Sequence, residues 1–286
     1  DAQDLAEVCD SDSCFGETDL DGFFEKPVPI HSVLGDSHGA LFGQGCLEKG
    51  MIKSTYGTGS SIMMNIGETP VLSTHGVVTS LAWGMQGKIN YVLEGNINYT
   101  GAVITWLKDD MELIQSPAET EELCRKAADD SLYFVPAFTG LGAPYWNSEA
   151  KGALIGITRT TRKAEMVCAG VECIAYQIAD VVNAMSQDAK TEIQELRVDG
   201  GPTRNQYLMQ FQSDISDCTI RRPVIRETTA LGACYLAGLA TGVWRSLEEL
   251  KQLWRCDTLY APSMDENKRR KLLSGWDKAV GRSLDW

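Results

Sequence analysis

The sequence predicts an α/β domain built on a mixed sheet with flanking helices, and two stretches of the chain carry this prediction. Residues 53–97 alternate apolar and polar side chains between repeated glycine turns, which is typical of antiparallel strands. Residues 163–240 instead alternate helical and strand-like segments, which is typical of parallel strands joined by helices. A single sheet that receives strands of both kinds has to be mixed.

The N-terminal part divides into a lead-in and the start of the domain. Residues 1–26 are acidic and have no regular pattern, so we expect an irregular connector before a domain at residues 27–286. Residues 29–34 are predicted to be a buried strand that ends just before Asp36. A helix of small residues is expected to follow at residues 39–46.

Hydrophobic periodicity predicts the remaining elements. Helical patterns at residues 101–111 and 118–128 precede a short apolar strand at 133–136 and a loop rich in Gly and Pro. The clearest helix covers residues 163–187, because apolar side chains recur there at spacings of three and four. Later elements are a strand at 196–199, a helix through Leu208 and Phe211, a strand at 218–222, a helix at 228–240 and an amphipathic tail helix at 265–286.

The composition fits a well-packed globule, with 43% hydrophobic and 23% charged residues among 286. No apolar run approaches the ~18 residues of a membrane-spanning helix, and the start lacks the pattern of a secretory signal. The chain begins at Asp1 rather than Met, which suggests a processed chain or a piece of a longer one. A formal charge of −13 argues against nucleic acid as the main partner. It does not exclude a nucleotide, whose phosphates can be held by backbone N–H groups and Mg²⁺.

Nine cysteines without a C-x-x-C pair give no sign of a zinc site or a redox dithiol. Cys168, Cys173 and Cys234 lie in apolar helical patterns and are expected in the core. Cys9 and Cys14 are close enough in sequence to suggest a disulfide, but we interpret them as an incidental pair of loop cysteines in a chain of free thiols. We therefore expect a reducing, cytoplasmic compartment.

Asp36 is the first candidate for chemistry. It follows a predicted strand and opens a helix, which is where open α/β sheets bind their ligands. A carboxylate at this place could accept the proton of a substrate hydroxyl during phosphoryl transfer. The alternative is a helix N-cap, a position at which Asp is favoured.

Two glycine-containing turns are candidate contacts to a nucleotide. Residues 56–61, Tyr-Gly-Thr-Gly-Ser-Ser, lie between strand-like runs, so the backbone around Thr58 could approach a phosphate closely. They lack the Lys of a Walker A loop, and an ordinary hairpin turn explains them as well. Residues 198–201, Val-Asp-Gly-Gly, end a strand before a helix and are either a ligand-contacting turn or a plain β–α turn.

Three strings are the most specific along the chain: Gly-Asp-Ser-His-Gly-Ala-Leu-Phe-Gly-Gln at 35–44, Tyr-Gly-Thr-Gly at 56–59 and Phe-Val-Pro-Ala-Phe-Thr-Gly-Leu-Gly-Ala-Pro-Tyr-Trp at 134–146. They resemble the FGGY family of carbohydrate kinases, in particular its glycerol kinase branch. Further similarity at 196–201, 209–215 and 228–240 extends the match over nearly the whole chain from Pro27. The resemblance implies an actin-like ATPase (ribonuclease H-like) fold, ATP and Mg²⁺ as cofactors, and transfer of a phosphoryl group to a hydroxyl of a small polyol or sugar.

The resemblance also implies that Asp36 is the general base on the substrate hydroxyl and a water-mediated neighbour of Mg²⁺. Glycerol kinases typically follow this aspartate with two glutamines, the first of which helps to hold substrate, whereas here Ser37 and His38 follow. Because Ser is shorter than Gln, a substrate site at Ser37 could accept a polyol or ketose larger than glycerol. His38 is interpreted as a packing or surface residue.

The nucleotide would be held by five other residues if the resemblance holds. Thr58 and Gly101 would contact its phosphates, and Gly201 and Asn205 would lie along the adenosine. Thr105 falls where the glycerol kinase pattern has a Gln near the nucleotide.

The family's chains begin with a separate substrate-binding domain, and nothing in this chain resembles it. We therefore expect this chain to be the ATP-binding half, inactive by itself, with the missing N-terminal domain as its partner. The tail helix and the tryptophans hint, by analogy, at a homodimer. The alternatives are a ketose kinase of the xylulokinase type, which the string at 134–146 argues against, and a non-catalytic actin-like module.

Overall fold

The computed structural model describes residues 5–128 and 131–285. In its first part the elements are β1 (Cys14–Thr18), β2 (Val28–His31), α1 (Asp36–Gly43), β3 (Ile52–Tyr56), β4 (Ser60–Gly67), β5 (Val78–Met85), β6 (Lys88–Ile97), α2 (Gly101–Thr105) and α3 (Glu119–Lys126). In its second part they are β7 (Tyr133–Val135), β8 (Ala153–Ile155), α4 (Lys163–Ala189), β9 (Glu195–Gly200), α5 (Gln206–Ser216), β10 (Thr219–Pro223), α6 (Thr228–Ala240), α7 (Leu247–Leu253), β11 (Cys256–Tyr260) and α8 (Glu266–Leu284). A π-helical turn, Trp106–Asp110, continues α2, and a 3₁₀ turn, Gly201–Arg204, precedes α5.

A seven-stranded sheet with the order β11–β10–β9–β3–β4–β6–β5 forms the centre of the molecule. β9 is parallel to both β3 and β10, and the other neighbouring pairs are antiparallel. The predicted α/β architecture with a mixed sheet is therefore confirmed. Because β3 and β9 run in parallel, their last residues, Tyr56 and Gly200, lie side by side at one edge of the sheet. The candidate site lies at this edge.

One face of the sheet is covered by α4, the helix predicted at residues 163–187. Its apolar stripe lies in the larger hydrophobic core, with Ile174 at 0% exposure. Burial of one such side chain contributes about 1.5–3 kcal/mol relative to leaving it exposed. The helix begins where Glu165 accepts hydrogen bonds from the amides of Arg162 (2.9 Å) and Ala128 (3.2 Å). These bonds satisfy N–H groups that have no partner within a helix.

The opposite face is covered by α1 and α6, which touch through backbone atoms. A Cβ on Gly43 would lie 2.0 Å from the carbonyl oxygen of Thr228, and one on Gly232 would lie 1.9 Å from that of Gly39. A side chain at either glycine would force the two helices apart. The contact with α6 therefore determines where the N-terminus of α1, and with it Asp36, is held.

The N-terminal part departs from the prediction. β2, expected as a buried strand at residues 29–34, is mostly exposed, because it pairs with β1 in a separate two-stranded ribbon instead of joining the main sheet. β1 lies inside the lead-in that was expected to be irregular, so this ribbon crosses the predicted boundary between residues 26 and 27. Residues 1–4 of the lead-in lie outside the described residues, and the domain limits stay a prediction.

Elsewhere the predicted helices and strands form close to their expected bounds, with β8, α7 and β11 as additions that the sequence analysis missed. The apolar face of α8 lies in the protein's own core, where Trp276 is 1% exposed, so this face is not a dimer surface. Cys234 is exposed, contrary to expectation, because it lies on the side of α6 opposite Gly232. Trp286, the predicted end of the tail helix, lies outside the described residues. None of the described helices is both long and apolar enough to span a bilayer.

Candidate active site at the edge of the sheet

The end of β9 meets β3 closely at the sheet edge. Gly200 has a φ of 96°, and a Cβ on it would lie 2.0 Å from the carbonyl oxygen of Tyr56. Glycine is required at this position by the left-handed backbone and by the close approach of the two strands. Gly201 differs, because a Cβ on it would have no atom within 4 Å. The first glycine of the pair thus serves packing, and the second borders open space.

The β3–β4 hairpin ends at Thr58, which is exposed. The carbonyl oxygen of Thr58 accepts hydrogen bonds from the amides of Thr100 (2.9 Å) and Ala102 (3.0 Å), and that of Gly57 accepts one from the amide of Gly101 (3.0 Å). The hairpin tip is therefore held on the N-terminus of α2. Since the amide of Gly101 is already engaged, only its Cα side can face a ligand.

A cavity of about 510 Å³ lies beside this hairpin, on the face of the sheet covered by α4 and α5. Its volume is that of a small-molecule site. Four of the five residues predicted to bind nucleotide line it, namely Gly101, Thr105, Gly201 and Asn205. The wall also includes apolar side chains, Ile104, Val171 and Leu208, and the polar residues Thr120 and Glu121 of α3. This mixture suits a ligand with a flat, partly apolar portion.

Asn205 links two walls of the cavity. As the N-cap of α5, its Oδ1 accepts a hydrogen bond from the amide of Leu208 (3.0 Å), and its Nδ2 donates to Oγ1 of Thr120 (3.0 Å). Nearby, a hydrogen bond from Arg125 lowers the pKa of Glu121, so this carboxylate is ionised at neutral pH. Because Glu121 is paired with Arg125 (2.9 Å) and Arg204 also lines the cavity, the cavity wall carries charges of both signs.

Asp36 belongs to α1, which covers the opposite face of the sheet. It is the first residue of α1, and Gly35 is the N-cap, so the N-cap alternative for Asp36 is wrong. Oδ1 of Asp36 accepts a hydrogen bond from the amide of Ser37 (2.6 Å), and its backbone carbonyl accepts one from the hydroxyl of Thr229 (3.3 Å). Asp36 is exposed, and neither it nor Ser37 or Thr58 lines the 510 Å³ cavity.

The sequence analysis missed a buried polar network beneath Asp36. Asp199, at 2% exposure, accepts hydrogen bonds from Nε2 of Gln44 (2.6 Å) and from the hydroxyl of Thr228 (2.7 Å). Lys53, at 0% exposure, has its pKa lowered by burial to about 8, although the negative charges of Asp199 and Asp36 act in the opposite direction. The only signal in the sequence was a lysine placed inside a buried strand. Through Asp199 the network joins the end of β9 to α6 and to Gln44 at the end of α1.

Comparison with known proteins establishes the family. Residues 52–241 match the model of the C-terminal domain of the FGGY family of carbohydrate kinases. The chain belongs to this family. The family resemblance seen in the sequence is thereby confirmed.

This FGGY chain is 50% identical over 283 residues to a glycerol kinase of Petrotoga mobilis, with 99% of the chain and 57% of the relative covered. The crystal structure of Plasmodium falciparum glycerol kinase with ADP matches with a TM-score of 0.89 at 37% identity, covering 96% of this chain and 55% of that one. Ligand-bound xylulose kinase from Lactobacillus acidophilus matches with a TM-score of 0.79 at 22% identity, covering 92% and 53%, which shows the fold alone. The chain spans about half the length of the curated relatives it matches. The predicted actin-like ATPase fold is confirmed by these neighbours.

Proposed function

We propose that this chain is the nucleotide-binding half of an ATP-dependent kinase that phosphorylates a hydroxyl of glycerol or a similar small polyol. The observation that carries the proposal is the cavity lined by Gly101, Thr105, Gly201 and Asn205 at the sheet edge where β3 and β9 end. The exposed carboxylate of Asp36, at the start of α1, would face this edge. Similarity at about 50% identity to glycerol kinases supports the choice of substrate class. The xylulokinase alternative is supported less, because its structural neighbours share only the fold.

We place the nucleotide in one orientation across the cavity. Phosphates would lie toward the hairpin, at Thr58 and Gly101, where the Thr58 hydroxyl makes no hydrogen bond within the described part of the chain. The adenosine would lie along Gly201 and Asn205, where the apolar side chains of Ile104, Val171 and Leu208 also line the cavity. The amino group of adenine can donate a hydrogen bond to a carboxylate such as that of Glu121, whereas an ionised phosphate has no hydrogen to donate.

The reaction requires one proton acceptor from this chain. The oxygen of the substrate hydroxyl attacks the γ-phosphorus of ATP, the bond from that phosphorus to the β–γ bridging oxygen breaks, and ADP leaves. The hydroxyl proton passes to Asp36, one of whose oxygens is engaged by the amide of Ser37 while the other is available. Ser37, next in the chain, would border the substrate.

The residues present fit Mg²⁺ bound together with ATP rather than by protein alone. The described residues contain no cluster of three or more His, Cys, Asp or Glu that could enclose a metal ion. Mg²⁺ is commonly held by one or two carboxylates, substrate phosphates and water, and the exposed Asp36 offers one such carboxylate. When bound, the ion would neutralise charge on the transferred phosphoryl group.

The remaining partners belong to the whole protein. The N-terminal domain that the relatives' greater length implies would complete the substrate site, and closure of the two domains would exclude water from it. We expect this chain alone to bind nucleotide weakly and to turn over no substrate. A homodimer would have to use a surface other than the apolar face of α8. A cytoplasmic location stays part of the proposal.

The proposal is tested by Asp36→Asn in the full-length protein. Turnover of glycerol is expected to fall about 10²- to 10⁴-fold, because the proton acceptor is lost, while the Kd for ATP changes less than about threefold. Asp217→Asn is the matched control, since Asp217 is exposed at the end of α5 in a left-handed conformation that Asn also adopts readily.

Retention of more than a tenth of the turnover by Asp36→Asn would exclude the assigned role. Phosphorylation of xylulose with none of glycerol would instead favour the ketose kinase. If the full-length protein bound ATP but phosphorylated no polyol or sugar, the non-catalytic module would be the better description.

A further inference from the structure

Lys53 is a buried cation beneath the candidate site, and the proposed reaction gives it no role. It lies in β3, in the interior of the seven-stranded sheet, and its side chain has no exposed surface. Burying an ammonium group costs far more than burying an apolar side chain of similar length. Stability alone would therefore favour a residue such as Met at this position, and the charge calls for another explanation.

The contacts of Lys53 join the two strands at the base of the hairpin. Its Nζ donates hydrogen bonds to Oγ1 of Thr55 and to the carbonyl oxygen and Oγ of Ser61, each at 3.2 Å. Thr55 precedes the hairpin tip on β3, and Ser61 follows it on β4, where the two residues are register partners. Lys53 thus ties together the entry and the exit of the turn that carries Thr58.

All three hydrogen bonds of Nζ go to neutral oxygen atoms, so none of them cancels its positive charge. The titratable groups that act on the ammonium are Asp199 of β9, Cys46 after α1, Asp36 of α1 and Glu94 of β6. A second cation, Arg197 of β9, is the register partner of Lys53, and its own charge is paired with Glu195 (2.9 Å). Asp199 is held in place by Gln44 and Thr228, as described above. The cation is therefore fixed below the hairpin tip, where the charge of Asp36 also acts on it.

We infer that Lys53 is a positioning residue for phosphoryl transfer, which holds the base of the hairpin and supplies a fixed positive charge that acts on Asp36 and the nucleotide phosphates. The inference rests on the proposed function and extends it to a residue that touches neither substrate nor nucleotide. A charge buried away from water acts strongly over several ångströms, because little solvent screens it. It is also already in place before the reaction, so no reorganisation is needed to stabilise the transferred phosphoryl group.

The first test compares Lys53→Met with Lys88→Met in the full-length protein. Met has nearly the same length as Lys but no charge and no hydrogen-bond donor. Turnover is expected to fall about 10- to 100-fold in Lys53→Met, with the KM for ATP changed less than about threefold, because the loss falls mainly on the transition state. Lys88 lies at the end of β6 away from the hairpin, has an exposed side chain and serves as the control with unchanged turnover.

The second test is the pH profile, which a purely structural lysine would not change. Burial lowers the pKa of Lys53 to about 8, so its charge is present below that pH and is lost as the pH rises through it. Turnover of the unmodified enzyme should therefore fall as the pH rises through about 8, whereas Lys53→Met should lack this alkaline limb. Lys53→Arg, which stays charged at these pH values, should recover part of the turnover and also lack the limb.

Stability should follow the opposite trend. Because the folded-state pKa of Lys53 lies below the ordinary lysine value of 10.5, the unfolded chain binds more protons between about pH 8 and 10.5. The contribution of this group to stability therefore rises with pH in that range, while turnover falls. A Tm that does not fall in parallel with turnover thus separates the proposed role from simple unfolding.

The outcomes distinguish the inference from the proposed function. If Asp36→Asn is inactive but Lys53→Met keeps turnover within about twofold, the role of Lys53 is excluded and the kinase function stands. A flat turnover of the unmodified enzyme between pH 7 and 9.5 excludes it as well, whether or not Lys53→Met folds. If the unmodified protein phosphorylates no polyol or sugar, the proposed function fails and the role of Lys53 fails with it.

Discussion

The two faces of the central sheet differ in what holds them together. Under α4 the space is filled by large apolar side chains such as Ile174, and the walls of the nucleotide-sized cavity belong to this face. Under α1 and α6 apolar side chains such as Phe42 and Trp83 are buried as well, but here the two helices also touch through the backbone of Gly43 and Gly232, next to buried hydrogen bonds to Asp199. Apolar packing tolerates exchange of similar volumes, whereas backbone contacts and satisfied buried polar groups define a single arrangement.

This difference matches the demands of the two parts of the site. A flat ligand portion binds by surface complementarity, which apolar walls provide even when they adjust slightly. A carboxylate that accepts a proton has to lie within hydrogen-bond distance of its donor, so a displacement of about 1 Å is costly. Changes on the α1–α6 face should therefore affect turnover, and changes on the α4 face should affect mainly stability.

Gly232→Ala should have the largest effect. Its Cβ would lie 1.9 Å from the carbonyl oxygen of Gly39, and the obstacle is backbone, so α1 and α6 would have to separate. We expect a loss of about 3 kcal/mol or more in urea denaturation, together with a loss of turnover in the full-length protein, since Asp36 moves with α1.

The control is Gly281→Ala in α8, where a Cβ would meet no atom within 4 Å. This change should raise stability by about 0.5–1 kcal/mol, as a helical Gly is replaced by Ala. Equal effects of the two substitutions would show that the backbone contact does not set the position of α1.

Ile174→Val should have an intermediate effect, confined to stability. Removing one buried methylene from the α4 core is expected to cost about 0.5–1.5 kcal/mol in urea denaturation. Turnover under conditions where the protein remains folded should stay within about twofold. If Ile174→Val lost more turnover than a variant of the α1–α6 face that still folds, the proposed division between the two faces would be wrong.

Asp180→Asn should have the smallest effect, and one that depends on pH. Burial raises the pKa of Asp180 on α4 to about 7. The hydrogen bonds that its Oδ2 accepts from Trp276 (2.7 Å) and Tyr145 (2.8 Å) lower the pKa, but burial has the larger effect. Because the folded-state pKa is raised, stability is lost as the pH rises from about 4 to 7. Asn, which is neutral at every pH and can still accept both hydrogen bonds, should raise Tm by about 2–4 °C at pH 8 and have less effect at pH 5. A gain in Tm that is equal at both pH values would contradict the raised pKa.

Local patterns predicted much of this fold. The stripe of apolar residues in α4 and the alternation in β3–β6 identified these elements close to their observed bounds, because each buries one face against the same core. The strand expected at residues 29–34 is exposed in the ribbon with β1, since a short apolar run looks the same wherever it is placed. Cys234 was misjudged for a similar reason, because an apolar helix does not show which side faces its neighbour.

The site was predicted in part. The motif around Asp36 and the glycines at 200–201 were found from composition and order, but their roles stay proposals. Lys53 and Asp199 were missed, because their partners, Ser61, Gln44 and Thr228, are distant in the chain or on another strand. A lysine in a strand has no visible acceptor until the neighbouring strand is in place.

By itself the sequence determined most of the strands and helices, the family and the candidates for the site. Only the tertiary structure decided which glycine of the pair at 200–201 serves packing, that Gly35 rather than Asp36 caps α1, and that a cation is buried beneath the hairpin. Propensity and periodicity act over a few residues and are therefore encoded locally. Burial, charge and close backbone approach depend on segments that meet only when the chain is folded.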